Sequence, residues 1–118
     1  MIVTYKEIFK LKVMLDKENI PYEFYDRSFF NADPKIEYPS YQIIIYKPNQ
    51  EEAESPERLI SVVQGMATYG ATEDLLEIMG CLTNSEKKYD SVLGYLSAKE
   101  VFKRIKKNYS KCLGSEKE

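Results

Sequence analysis

The sequence predicts an α+β fold: an N-terminal helix, about three antiparallel strands, and two to three C-terminal helices. Three features predict it. A capping box followed by an apolar stripe opens the chain, an isoleucine triplet marks its middle, and a second amphipathic stripe closes it. The connections between the middle runs are short enough for an antiparallel meander.

In order, Thr4-Tyr5-Lys6-Glu7 is a capping box, in which a threonine hydroxyl takes a first-turn N–H and a glutamate reaches back to the cap. Ile8, Leu11, Met14 and Leu15 follow as one stripe, with Lys6, Lys10, Lys12 and Lys17 mainly on the other side. This helix ends before Pro21. Residues 22–25 have an aromatic, strand-like composition, and residues 31–39, with two prolines, read as a loop. Residues 41–46 form the clearest strand, where Ile43, Ile44 and Ile45 suggest burial on both faces. Residues 47–56 read as an exposed hairpin loop, and 59–66 as the next strand. A short helix is expected next, capped by Thr72 and stopped by Gly80. Further capping boxes lie at Thr83-Asn84-Ser85-Glu86 and Ser97-Ala98-Lys99-Glu100. The second opens a helix whose inner face is Val101, Phe102, Ile105 and Tyr109. One domain over residues 1–113 with a frayed 114–118 tail is expected.

Composition narrows the chemistry. Of 118 residues, 43% are apolar and 31% charged, as in a folded domain. No apolar run reaches the roughly 20 residues of a membrane span, and the first residues lack the pattern of a signal peptide, so a cytoplasmic protein is expected. The net charge is -2, which argues against long nucleic acid as the main partner. Histidine is absent, which excludes Ser-His-Asp and Cys-His centres and removes the commonest zinc ligand. Cys81 and Cys112 match no metal-ligand spacing. What remains for catalysis is carboxylate pairs such as Glu51/Glu52 and Glu73/Asp74, lysine, tyrosine or a hard cation held by oxygen ligands. Nothing fixes their geometry, and no catalytic residue, metal or cofactor is expected.

The stretch GMATYGAT has the layout of a phosphate-cradling loop, with Gly65 and Gly70 four residues apart and Thr72 just beyond. Ala71 stands where such a loop has lysine, and Glu73 and Asp74 would occupy the first helical turn and compete with an anion. A structural strand-to-helix turn is the plainer reading. Its candidate ligand contacts are Gln64, Thr68, Tyr69, Gly70 and Thr72, with Tyr69 able to stack and Gly70 to allow close backbone approach. The last helix adds Lys99, Lys103, Arg104 and Lys107 as candidates for a phosphate-bearing ligand, although lysines late in a helix also complement its dipole. Ten tyrosines point to an interaction surface, and segregated charge to a homodimer or higher oligomer, though many tyrosines must be core or core rim.

The segments SVVQGMATYGATEDLLEIMGCLT and YDSVLGYLSAKEVFKRI resemble small uncharacterised proteins encoded by phages and prophages of Gram-positive bacteria. The resemblance covers roughly the second half of the chain. It implies no catalytic residues and no cofactor, but a context: accessory proteins that bind a host defence protein or sequester a phosphate-bearing signalling nucleotide. A self-associating structural or assembly protein is the alternative.

Overall fold

A computed structural model of the chain describes residues 4–30, 36–50 and 53–116. Helix α1 (Glu7–Lys17) is followed by strands β1 (Glu23–Asp26), β2 (Phe29–Phe30), β3 (Glu37–Tyr38), β4 (Ser40–Tyr46) and β5 (Arg58–Gly65). A 3-10 turn (Ala71–Glu73) leads to β6 (Leu76–Gly80), then come α2 (Asn84–Lys87), β7 (Leu93–Leu96) and α3 (Ala98–Glu116). Five strands form one antiparallel sheet in the order β1-β4-β5-β6-β7, and β2 pairs with β3 alone. The fold is α+β, with more strands than expected.

Both long helices lie on one sheet face. Ile8, Leu11 and Leu15 of α1 and Val101 and Ile105 of α3 meet Ile43, Ile45, Ile60, Val62, Leu76 and Ile78 in a single core. Burying each such side chain stabilises the fold by roughly 1.5–3 kcal/mol before entropy is charged against it. The expected stripes of α1 and α3 are therefore the faces that pack.

Three expectations are corrected. The short helix from Thr72 to Gly80 is a 3-10 turn and then a strand, because Leu76 and Ile78 both point into the core at strand spacing. Asp74, in the left-handed region at φ 56°, turns the chain out of any helix path. Within the expected 31–39 loop, Glu37 and Tyr38 pair with Phe30 and Phe29; residues 31–35 lie outside the described part. At the other terminus α3 continues through Gly114 to Glu116, where a frayed tail was expected; 117–118 lie outside the described residues.

Both downstream capping boxes form. Thr83 and Glu86 exchange hydrogen bonds across the first turn of α2, and Ser97 and Glu100 do so at α3. Glu86 has a second role, receiving a bidentate pair from Arg104 Nη1 and Nη2 at 2.8 and 2.7 Å, while Nη1 also donates to the Cys81 carbonyl. The guanidinium, followed by the Thr83 N–H, holds the Glu86 carboxyl down from its ordinary 4.5 to about 2. A depressed folded pKa gives stability that is present above the unfolded pKa and lost as pH falls from about 4.5 towards 2. With both side chains a quarter exposed, that amounts to about 1–2 kcal/mol. Glu86→Gln is expected to lose this amount near neutral pH and to match wild type at about pH 2 in thermal melts. A constant gap at all pH values would show that the pair does not supply the acid dependence.

Candidate interaction site at the turn end of the sheet

The β5–β6 connection, the N-termini of α1 and α3 and the end of β7 gather at one end of the sheet. Gln64 was expected as an exposed ligand contact, but it is fully buried. It follows Ile60 and Val62 at strand spacing, so it faces the core, and its Oε1 accepts the Ile8 N–H at 3.2 Å. Its Nε2 donates to Asp74 Oδ1 at 2.7 Å, and that same oxygen accepts the N–H groups of Lys6 and Glu7. Asp74 therefore caps α1 from the far side of the sequence, replacing Thr4, and the N-cap residue is Lys6. Glu7 in turn accepts the Ala98 N–H at 3.0 Å, linking the start of α1 to the start of α3.

Most of the turn's backbone donors are already engaged. The N–H groups of Thr68, Tyr69, Ala71, Glu73, Asp74 and Leu75 all donate within the protein, Tyr69 to Glu77 Oε1 and the rest to turn carbonyls. Thr68 Oγ1 is engaged with both the N–H and the carbonyl of Gly65. Thr72 caps no helix: it lies exposed in the 3-10 turn, whose N-cap is Gly70. Gly70 has φ +94°, and a Cβ there would lie 2.9 Å from the backbone of Tyr95. The close approach it permits is therefore to β7, not to a ligand. The connection joins two antiparallel strands, and its acidic residue sits on α1, not on a helix of its own.

Tyr69 lies on the turn with a half-exposed ring. It has a partner that local sequence did not signal. The Tyr95 N–H donates to the Tyr69 carbonyl at 3.3 Å, and Tyr95 is held at φ 61°, where the β6–β7 register shifts. A left-handed tyrosine in a strand is strained, and it leaves the Tyr95 side chain exposed beside the turn. Met66 is exposed on the same turn. Close by, the β1–β4 ribbon continues past its last β5 partner: Ser40 pairs with Gly65, and β2 and β3 extend beyond as an arm with exposed Phe29, Phe30 and Ile36.

The basic candidates separate from the turn. Lys99, Lys103 and Lys107 share one stripe of α3 with Lys106, around Phe102, and border a shallow groove of about 410 Å³ formed by α3 alone. Arg104 is not on that stripe; its bidentate pair with Glu86 makes it a structural tie. Among the described residues, no group of three or more Cys, Asp or Glu side chains could hold a metal ion, and no helix is long and apolar enough to cross a membrane. At the opposite end of the sheet lies a cavity with walls of tyrosine and proline, drawn from three separated segments and so without a local sequence signal. No protein-family model matches this chain, and neither a curated protein nor a solved structure matches it.

Proposed function

We propose that this chain is a non-enzymatic binding module, a small phage or prophage accessory protein. It works in the cytoplasm of a bacterial host by docking on a host protein, in keeping with an anti-defence role. The observation that carries this reading is the collection of exposed apolar side chains at the turn end. Phe29, Phe30, Ile36, Met66, Tyr69 and Tyr95 are each between 39% and 58% exposed. Exposed apolar side chains on neighbouring elements mark interaction sites, and tyrosines are enriched among residues that dominate binding energy. The strain held at Tyr95 supports the same surface.

The test is capture of partners from a Gram-positive host extract by wild type and by Phe30→Ala, Tyr69→Ala and Tyr95→Ala, with light scattering on each. Each tyrosine substitution is expected to weaken retention by about tenfold or more. Unchanged retention by all three variants would remove the turn end as the docking surface. A stable homo-oligomer dissolved by the same substitutions would favour self-association instead. A second reading, sequestration of a phosphate-bearing nucleotide, is favoured by the lysine-rimmed groove around Phe102. It expects a thermal shift with cyclic nucleotides that Lys103→Ala abolishes.

A further inference from the structure

The cavity at the other end of the sheet has a chemistry of its own. It encloses about 250 Å³ between the α1–β1 connection, the β4–β5 hairpin and the later turns of α3. That is smaller than the cavities that take drug-sized ligands, so it suits a single head group. Its apolar walls are the prolines Pro21, Pro48 and Pro56 and the tyrosines Tyr22, Tyr46 and Tyr109, and Glu23, Lys47, Asn49 and Gln50 add polar groups.

A census of donors and acceptors decides what could enter. The prolines have no N–H to offer. The Tyr22 hydroxyl donates to Asp16 Oδ1 and the Tyr46 hydroxyl to Glu23 Oε1, both at 2.8 Å, so neither proton is left for a ligand. The Lys47 N–H donates to the Glu57 carbonyl at 2.9 Å, and its ammonium is held by Glu57 Oε1 at 2.7 Å. Gln50 Oε1 accepts the Glu57 N–H at 2.7 Å, and what the wall presents is aromatic surface, the Glu23 carboxylate and the side-chain amides of Asn49 and Gln50. Burial first, and the Asp16 hydrogen bond second, push the Tyr22 phenol up to about 12, so it stays protonated and donating. The nearby charges are Asp16, Glu23 and Glu57 against Lys47 and Arg58, the latter bonded to the Tyr46 hydroxyl. The carbonyl end of α1, at Lys17, lies just before Pro21 and adds negative potential.

We infer that this cavity is a receptor for an organic cation, an alkylammonium or guanidinium head group, seated on the faces of Tyr22, Tyr46 and Tyr109 with Glu23 as counter-ion. A cation over tyrosine faces gains from the ring quadrupole, and a phenol that donates to a carboxylate has a more electron-rich ring. The Glu23 carboxylate supplies the acceptor that such a donor-rich group needs. This site is independent of the protein-docking surface, and either stands if the other fails.

The test is an amide-resolved NMR titration of the whole chain at matched ionic strength. The probes are choline, tetramethylammonium and the uncharged choline isostere 3,3-dimethylbutanol. N-acetyl-argininamide and an N-acetyl-trimethyllysine amide show whether the head group arrives free or on a peptide side chain. The expected result is a saturable shift confined to Pro21-flanking, Glu23, Tyr46 and Tyr109 signals, with the best cation about tenfold tighter than the isostere. Glu23→Gln, which keeps shape, is expected to weaken that cation by several-fold, and Tyr109→Ala to abolish the shift. Tyr46→Phe, which keeps the ring and removes one of the two phenols bonded to Glu23, should retain binding. Equal response to the isostere, an unaffected Glu23→Gln variant, or shifts that do not saturate would overturn the assignment.

Discussion

Asp74→Ala is expected to lower stability by about 3 kcal/mol and the melting temperature by roughly 10 °C. One carboxylate oxygen, Asp74 Oδ1, accepts three N–H groups: Lys6 at 2.9 Å, Glu7 at 3.3 Å and Gln64 Nε2 at 2.7 Å. The first two belong to the exposed start of α1 and can turn to water, so their loss is that of a cap, about 1 kcal/mol. The third belongs to a fully buried side chain, and leaving it unpaired costs about 1–3 kcal/mol. Alanine is also poorly suited to φ 56°, which aspartate tolerates better.

Two controls make the result specific. Asp74→Asn keeps an oxygen acceptor and a residue suited to the left-handed region, so it should lose only about 1 kcal/mol, the charge at the helix end. Glu73→Ala, next door and exposed, should stay within about 0.5 kcal/mol of wild type. If Asp74→Ala behaved like Glu73→Ala in denaturant melts, the buried Gln64–Asp74 bond would not be a determinant of stability. Because Glu7 passes the connection on to Ala98, hydrogen exchange should also rise at the first turn of α3.

This polar relay shows where sequence reading succeeds and where it stops. Elements defined by their own periodicity were legible: the stripes of α1 and α3, the isoleucine strand, and the two downstream capping boxes all rest on residues within a few positions of one another. The cap on α1 was not, because Asp74 lies 68 residues from Lys6. Thr4 supplied a plausible local cap, and tertiary structure overrode it. Strand β6 was missed because Leu75, Leu76, Ile78 and Met79 satisfy a helical pattern as readily as a strand, and only pairing with β5 and β7 decides between them. Gln64 is a different case. Ile60, Val62 and Gln64 alternate on one face, so the signal that the amide points inward was present and was outweighed by its polarity. In the candidate site, Tyr69 was legible as an aromatic beside a glycine, whereas Tyr95 and the tyrosine-proline cavity depend on contacts between distant segments.

Gly94→Ala is the second large effect expected, about 3 kcal/mol of destabilisation, and it connects the fold to the proposed surface. A Cβ at Gly94 would fall inside the van der Waals shell of Tyr69 Cβ and 2.7 Å from the Tyr69 carbonyl oxygen. The obstacle includes backbone on the turn side, so no side-chain rotation relieves it. The turn must lift away from β7, which breaks the Tyr95 N–H bond to Tyr69 and separates the two exposed tyrosines. Over-packing typically costs 1–3 kcal/mol, and contact with main chain on a hydrogen-bonded turn puts this case at about the upper end. The effect is spatial and can be tested as such. Tyr69→Gly removes one of the colliding carbons, so the Tyr69→Gly, Gly94→Ala double variant should be more stable than the sum of the two losses by at least about 1 kcal/mol. Strict additivity in denaturant melts would sink the steric account. Gly114→Ala is the opposite control, since nothing lies within 4 Å of its Cβ position in α3 and helix propensity favours alanine by up to about 1 kcal/mol. Under conditions where Gly94→Ala remains folded, it should also lose any partner that wild type retains, because the lock that sets Tyr69 beside Tyr95 is what the proposed docking surface requires.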